Sequence, residues 1–378
     1  MRWLRGAVGL VALLALGAAL ASGGSRTDST RQSYLPAGNA LRTISRFGGV
    51  RTVTIRSLGD PDAVRVDPPW LARARPLGPG APRWAKRMYR RSLLVLRAMM
   101  DPRTGAVVAG RRDGWEYVWP RDAGAVAMAL ASAGYRDEAR QVVSFLHGLD
   151  LSAAARFHQN GTPVEGRAAQ GDADGWVDAA ARVVGLDAHV APQSWRDRAD
   201  YQESEAGDYL GNAIATAGEP KGIPAGAPSV RRPAEEEIRR EFGAKGRLVR
   251  EADDPESGID TAAAWAVRPF RLPALFPLAR RTLLRIAVGS GRYGIVPSEN
   301  WDGGIDPWTA PTAWTAWSLA ALGERRAALH LMVALRRDQT PAGLLPERVD
   351  AHTGVPTSTT PLAWSHAFAI LAIRELWA

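Results

Sequence analysis

Cysteine is absent from the 378-residue sequence. That excludes disulfides, thiol nucleophiles and Cys-ligated iron–sulfur or zinc centres. A chain of this length can still be stable, because the fraction of surface buried on folding rises with size. Lysine is nearly as scarce, occurring only at Lys86, Lys221 and Lys245, so Arg supplies most of the charge behind a formal net charge of +9. The arginines are scattered along the sequence and form no basic run, so no nucleic-acid partner is expected. Strand-like alternation is rare after residue 84. A long apolar run occurs once, from Gly6 to Ala21 behind Arg2 and Arg5. It is short for a bilayer span of about 20 residues and ends in Ala19-Leu20-Ala21, the small-x-small form of a cleavage site. Residues 1–21 therefore read as a signal peptide, with an uncleaved anchor as the alternative. The protein is expected to be exported, with membrane association only through this segment, and monomeric.

Hydrophobic residues make up 46% of the chain, enough for a sizeable core. Residues 22–83 read as a leader and an N-terminal arm. Val50 to Ser57 has the period of a strand, and Pro61, Pro68, Pro69, Pro76, Pro79 and Pro82 then interrupt regular structure. From Trp84 to the C-terminus the apolar spacing is helical. Helices are expected at Trp84–Met100, Ala123–Ala133, Asp137–Leu146, Gly175–Val184, Tyr209–Ala217, Ala262–Ala266, Leu275–Val288, Ala313–Leu322 and Leu362–Leu376. A helix–turn–helix unit recurs: "LASAGYRDEARQVVSFL" from Leu130 and "LAALGERRAALHLMVAL" from Leu319 align with Gly134 against Gly323. Repeated αα-hairpins suggest a helical solenoid or a closed helical barrel. Residues 220–256, rich in Gly, Pro and charge, read as a surface insertion with a short exposed helix at Glu235-Glu236-Glu237.

Three segments are unlike ordinary helix connections. In Trp115-Glu116-Tyr117-Val118-Trp119-Pro120-Arg121-Asp122, Asp122 suits a helix N-cap. Aromatic faces beside an Arg–Asp pair equally suit a sugar, whose rings stack and whose hydroxyls need fixed donors and acceptors. In Gly343-Leu344-Leu345-Pro346-Glu347-Arg348, Glu347 follows a Gly-x-x-Pro turn, ordinarily a surface position. In Pro361-Leu362-Ala363-Trp364-Ser365-His366-Ala367, a Trp-Ser-His opens the last helix, a pattern of packing and capping. No nucleophile-elbow serine accompanies His366.

Together these segments resemble glycoside hydrolase family 15, the glucoamylase-like enzymes, from about Trp84 onward. "YVWPRDAG" looks like the family's sugar-holding aromatic-Arg-Asp segment, and "GLLPERVDAHTG" followed by "PLAWSHA" looks like its C-terminal pair. "GRAAQGDADGWV" and "ENWDGGIDPWTAPTAW" are similar to two further pocket segments. The resemblance implies an all-α fold, an (α/α)6 barrel of six hairpins, over residues 84–378. It implies an exo-acting, inverting hydrolase with a saccharide substrate and no cofactor or essential metal. Carried over residue by residue, Glu347 is the general base. Trp119, Arg121, Asp122, Arg167, Trp301 and Trp364 bind substrate. For the general acid, Asp200-Tyr201-Gln202-Glu203 is the nearest match, giving Glu203, with Glu205 as the alternative. Gln202 departs from the family's usual Trp. The missing N-terminal β-sandwich and starch-binding module point to a soluble glucan, oligosaccharide or trehalose-like glucoside rather than granular starch. An inverting pair needs its carboxyls roughly 6.5–9.5 Å apart, so that water fits between them.

Export is testable directly. Protein recovered from the medium should begin near Ser22, and an intact Met1 there would count against cleavage.

Overall fold

The computed structural model describes residues 40–44, 50–54, 68–111, 114–187, 194–218 and 233–378. The apolar segment at 1–21 lies outside them. The chain divides into two compact units, Met1–Arg65 and Val66–Ala378. In the first, β1 (Ala40–Ile44) pairs antiparallel with β2 (Val50–Thr54), with Ala40 opposite Thr54.

The second unit is helical. Its first elements are α1 (Pro68–Ala72), α2 (Arg83–Met99), α3 (Pro120–Ser132), α4 (Arg136–His147), α5 (Ala173–Val184) and α6 (Leu210–Ala217). The chain continues through α7 (Glu235–Phe242), a 3-10 helix (Thr261–Ala266), α8 (Phe276–Val288), α9 (Thr309–Ala321), α10 (Arg325–Asp338) and α11 (Ala363–Trp377). A hairpin of two-residue strands, β3 (Gly243–Ala244) with β4 (Arg247–Leu248), lies between α7 and the 3-10 helix.

Contacts order these elements into an (α/α)6 barrel. α3, α5, α6, the 3-10 helix, α9 and α11 touch in that sequence, and α11 touches α3 again, closing an inner ring. α2, α4, α7, α8 and α10 lie outside it, α4 on α3 and α5, α10 on α9, and α2 on α11. The sequence dictates this sorting. α9 and α11 are almost entirely buried, as expected of helices apolar all round. α2 buries Met88, Leu93 and Leu96 and turns Arg83, Arg87 and Arg90 outward. Each fully buried Leu or Met contributes about 1.5–3 kcal/mol.

The barrel axis is filled by rings. Trp176 (α5), Trp265 (3-10 helix), Trp314 (α9) and Phe368 (α11) form a closed edge-to-face cycle, with centroid separations of 5.1, 5.4, 5.4 and 5.8 Å. Such pairs add about 0.5–1.5 kcal/mol each beyond area burial.

Three details differ from the sequence reading. Ala262–Ala266 is a 3-10 turn, capped by Asp260, whose side chain accepts from Ala262 N–H. Glu235–Glu237 does not open a merely exposed helix. It starts α7, which buries Glu237, Ile238 and Phe242 and packs on α6, because Ile238 and Phe242 share one face four residues apart. Between α5 and α6 the described residues contain no helix, so five outer helices are seen rather than six. The Pro-rich stretch before α2 packs on the barrel, with Trp70 stacked on Tyr135 at 4.0 Å.

Asp338, the last residue of α10, is 1% exposed, and neither carboxyl oxygen has a hydrogen-bond partner among the described residues. Burial raises its pKa well above the ordinary carboxylate value. The negative end of the helix acts in the same direction. A raised folded-state pKa means that stability is full below the unfolded carboxylate pKa and is lost as pH rises toward the folded one. Asp338→Asn should therefore raise Tm, by more at pH 7 than at pH 4, in paired thermal melts. Equal gains at both pH values would show that charge is not the cause.

Candidate active site

The chemistry-bearing residues gather where the inner helices begin. Trp119 precedes α3, and Arg121 and Asp122 are in its first turn. Asp172 precedes α5, Trp308 precedes α9, and Trp364 is in the first turn of α11. Backbone bridges stitch these connections together, including Val118 with Phe157, Asp260 with Ser298 and Trp308 with Arg348. The result is a cavity of about 220 Å3 lined by Trp115, Trp119, Arg121, Asp122, Tyr201, Gln202, Glu203, Trp301, Trp308, Glu347, Arg348, Ser358 and Trp364. Positions 245 residues apart in sequence, from Trp119 to Trp364, thus line one cavity.

The aromatics form two walls. Trp115 stacks on Trp119 (5.2 Å, 28°), and Trp301 meets Trp308 edge-on (5.4 Å, 80°). The indole N–H groups of Trp308 and Trp364 are buried and have no hydrogen-bond partner among the described residues.

Arg121 is only 3% exposed and anchors the floor. Its Nη1 donates to Asp172 Oδ2 (2.8 Å) and Gln170 Oε1 (3.1 Å), its Nε lies 3.8 Å from Asp122 Oδ2, and its guanidinium stacks over Trp364 at 5.0 Å. Asp122 is not an N-cap; Trp119 holds that position. Burial pushes the Asp122 carboxyl up to about 7, opposed by Arg121 and reinforced by Asp172 and Glu347. Asp172 keeps one oxygen, Oδ1, buried and without a hydrogen-bond partner among the described residues.

Glu347 is 2% exposed, not the surface carboxylate its turn suggests. Its N–H donates to Thr359 O (2.9 Å) and its carbonyl accepts from Thr309 N–H (3.0 Å). Burial raises its pKa, while a hydrogen bond from Ser358 Oγ and the nearby guanidinium groups of Arg348 and Arg167 lower it. The Trp-Ser-His segment explains how this turn is fixed. Leu345 N–H donates to His366 Nε2 (2.9 Å), so the proton sits on Nδ1, which donates to Ser92 Oγ (2.9 Å). Burial, with Arg91 adding to it, pushes the imidazole down to about 3, which keeps it neutral. Thr309 Oγ1, held between Ser365 Oγ and the Pro346 carbonyl, ties the same turn to α9. His366 is thus a brace for the residue two positions before Glu347 in sequence, and no triad base.

Glu203 lines the same cavity from the loop before α6. It holds φ +59, a left-handed conformation that costs of order 1–3 kcal/mol for a non-glycine residue and clusters at functional sites. Asp200 enforces it. Asp200 Oδ1 accepts from Gln202 N–H (2.9 Å) and Ser204 Oγ (2.7 Å), straddling Glu203. Below, Gln202 Nε2 and Tyr201 Oη donate to Asp260 (2.7 and 2.9 Å), whose carboxyl burial raises to about 7. Arg250 bonds Asp200 and Ser204. The Glu203 carboxylate is 29% exposed and ion-pairs with Arg167, itself 36% exposed. Glu205 does not line this cavity. It lies with Arg167, Arg198 and Glu203 on an adjoining one of about 470 Å3.

Of the residues singled out in the sequence, Glu347, Glu203, Trp119, Arg121, Asp122, Trp301 and Trp364 line the one cavity, and Arg167 contacts it through Glu203. Sequence reasoning did not assign Trp115, Tyr201, Gln202, Trp308, Arg348 and Ser358 to the site. The first five stood inside quoted segments, whereas nothing in the sequence marked Ser358.

Known proteins share this architecture. Residues 84–193 match the model of Glycosyl hydrolases family 15. No curated protein matches the chain. Among solved structures, a wild-type glycosidase matches with TM-score 0.65 at 20% identity, over 82% of this chain and 99% of that one. A glycosidase variant in complex with glucose matches at 0.64 and 19%, with the same coverage. A bacterial glucoamylase complexed with acarbose matches at 0.60 and 15%, over 82% of this chain and 57% of that one. The glucoamylase of Saccharomycopsis fibuligera matches at 0.57 and 11%, over 79% and 96%. These likenesses establish the shared barrel.

Removing Arg121 strands two buried carboxylates. Arg121→Ala should cost about 3–5 kcal/mol, read as a Tm loss of several degrees. The loss should be smaller at pH 4, where Asp122, raised to about 7, is neutral, than at pH 8. A variant that melts like the parent at pH 8 would show that the carboxylates are compensated elsewhere.

Proposed function

We propose that this chain, whose domain is glucoamylase-like and of glycosyl hydrolases family 15, is an exo-acting, inverting glycosidase that removes a terminal glucosyl residue from a soluble α-glucan, oligosaccharide or trehalose-like glucoside. Its being a glycoside hydrolase rests on the family segment together with the barrel. The finer reading rests on one observation above all: Glu347, Glu203, the Trp119 and Trp308 walls and the Arg121–Asp122 floor share one small cavity. A cavity of about 220 Å3 suits a single sugar ring, hence the exo assignment.

On this reading the ring stacks on Trp119. The unpartnered indole N–H groups of Trp308 and Trp364 and the free Asp172 Oδ1 take up sugar hydroxyls, as buried polar groups require. Glu347 removes a proton from water as the water oxygen bonds to the anomeric carbon. Glu203 gives its proton to the glycosidic oxygen as that bond breaks. Ser358, Arg348 and Arg167 favour the charged form of Glu347 and so suit it to act as base. The ion pair with Arg167 favours ionised Glu203, opposing its role as acid. A leaving group that draws Arg167 away restores that role. The same ion pair, with Gln202 where the family usually has Trp, supports a second reading: a carbohydrate-binding relative that has lost catalysis. We also read the protein as exported, on the segment Arg2 to Ala21.

Glu347→Gln should lower kcat by about 10²–10⁴-fold and leave KM nearly unchanged. Glu203→Gln should do the same and lose the alkaline limb of the pH profile. Ser358→Ala should move the acid limb to higher pH, because it removes a bond that favours the charged base. Proton NMR of the first product should show the inverted anomer. Saccharide binding without any released sugar would favour the binding-protein reading, and a retained anomer would overturn inversion.

A further inference from the structure

Arginines scattered along the sequence gather in the fold. The outer helices α2, α8 and α10 contain six, three and four Lys or Arg residues, against one carboxylate, the buried Asp338. The outer helices α4 and α7 instead mix six carboxylates with four arginines. The asymmetry is sharpest on α2, where Arg83, Lys86, Arg87 and Arg90 are exposed at i, i+3, i+4 and i+7, one stripe along the helix. α10 lies against α8. Its exposed Arg336 reaches over the ring of Trp84 on α2 at 5.8 Å, and Arg337 Nη1 donates to the Arg292 carbonyl. None of these six cations is ion-paired with a carboxylate among the described residues. Uncompensated like charge on one side opposes folding slightly and is expected to have an anionic counterpart.

We propose that this face docks on an anionic phospholipid bilayer. Charge complementarity selects an anionic partner. The shape selects a surface: exposed flanks of neighbouring helices, with α2 alone about 25 Å long, and without a groove to track a nucleic-acid backbone. Trp84 is half-buried among the cations with its ring edge-on to Trp377 (5.6 Å), an amphipathic aromatic of the type found at headgroup depth. Helix flanks on the bilayer leave the pocket free, because the pocket opens at the N-terminal ends of the inner helices. This docking is independent of the catalytic reading and differs from anchoring through residues 1–21, which would not depend on headgroup charge.

The test is flotation of the full chain with vesicles of phosphatidylglycerol and phosphatidylcholine, against phosphatidylcholine alone. Binding should require phosphatidylglycerol and fall steeply between 0.05 and 0.5 M salt, an about tenfold range chosen to shorten the Debye length from roughly 14 to 4 Å. Each surface cation is worth about fivefold in such binding. The quadruple Arg83→Gln, Lys86→Gln, Arg87→Gln, Arg90→Gln should therefore weaken it by about a hundredfold or more. Arg336→Gln with Arg337→Gln should weaken it by about twenty-five-fold. Arg239→Gln with Arg240→Gln on α7 should leave it unchanged. Thermal melts check that each variant folds. Equal binding to both vesicle types, or an undiminished quadruple variant, would overturn the proposal. So would tighter binding to a DNA duplex than to the vesicles at the same salt.

Discussion

Everything in this molecule depends on closing six inner helical elements into a ring narrow enough to be plugged by four aromatic side chains. Small residues permit the approach. A Cβ at Gly175 of α5 would sit 2.2 Å from the carbonyl oxygen of Ala215 on α6, and one at Gly124 of α3 would sit 2.9 Å from that of Trp176 on α5. Both distances are shorter than side chains tolerate. With the backbones drawn together, Trp176, Trp265, Trp314 and Phe368 interlock, and Tyr201 and Trp364 pack on Trp314 from above (5.3 Å each). Those last two rings also line the cavity. Core and site are therefore continuous, and the plug sets the depth to which a ligand can enter.

Closure also concentrates charge. Asp122, Asp172, Asp200, Asp260 and Glu347 are each no more than 3% exposed, and Arg121 and Arg250 lie among them. Arg121 pairs with Asp172 and lies beside Asp122, and Arg250 pairs with Asp200 and lies beside Asp260. Each arginine faces two carboxyls, which leaves one carboxyl of each trio undercompensated. Asp122 and Asp260 are the two whose pKa values rise to about 7. Burial is the largest cause in both, and the second carboxylate adds to it. Planar guanidinium geometry suits this sharing better than an ammonium would, in a chain that has almost no lysine.

Much of this was legible in the sequence. Helical periodicity located α2 to α6, α8, α9 and α11 because their inward faces are continuous, and the Gly134/Gly323 repeat announced the hairpins, α10 among them. The fully buried inner helices were legible as Ala-rich runs. Tertiary contacts decided the rest. Whether Asp122 capped a helix or faced a pocket depended on Trp119 taking the N-cap. Whether Glu347 was exposed depended on His366 and Ser365 holding its turn against α9 and α11. Ser358 had no signature at all: it reaches Glu347 across an eleven-residue loop whose course only the folded chain defines. The basic outer face was invisible for a related reason. Its stripe on α2 is local, but its extension to α10 requires the barrel.

The two carboxyls differ in how they are built, and the difference comes from the one irregular sector of the barrel. Glu347 is bound through its own backbone at both ends and backed by the last helix, so its position is a property of the core. Glu203 lies on the loop entering α6, next to the sector where the described residues show no outer helix. Its backbone is forced into the left-handed region by Asp200, yet its carboxylate is partly exposed and answers to Arg167, which belongs to the adjoining cavity. Under the proposed function, a rigid base and a responsive acid would divide the demands of glycoside cleavage. Attack by water needs a fixed direction, whereas proton delivery must track whatever leaving group arrives. On the same proposed function, the linkage accepted would be decided around Arg167, Arg198 and Glu205, which line the adjoining cavity beside the sector without a described outer helix.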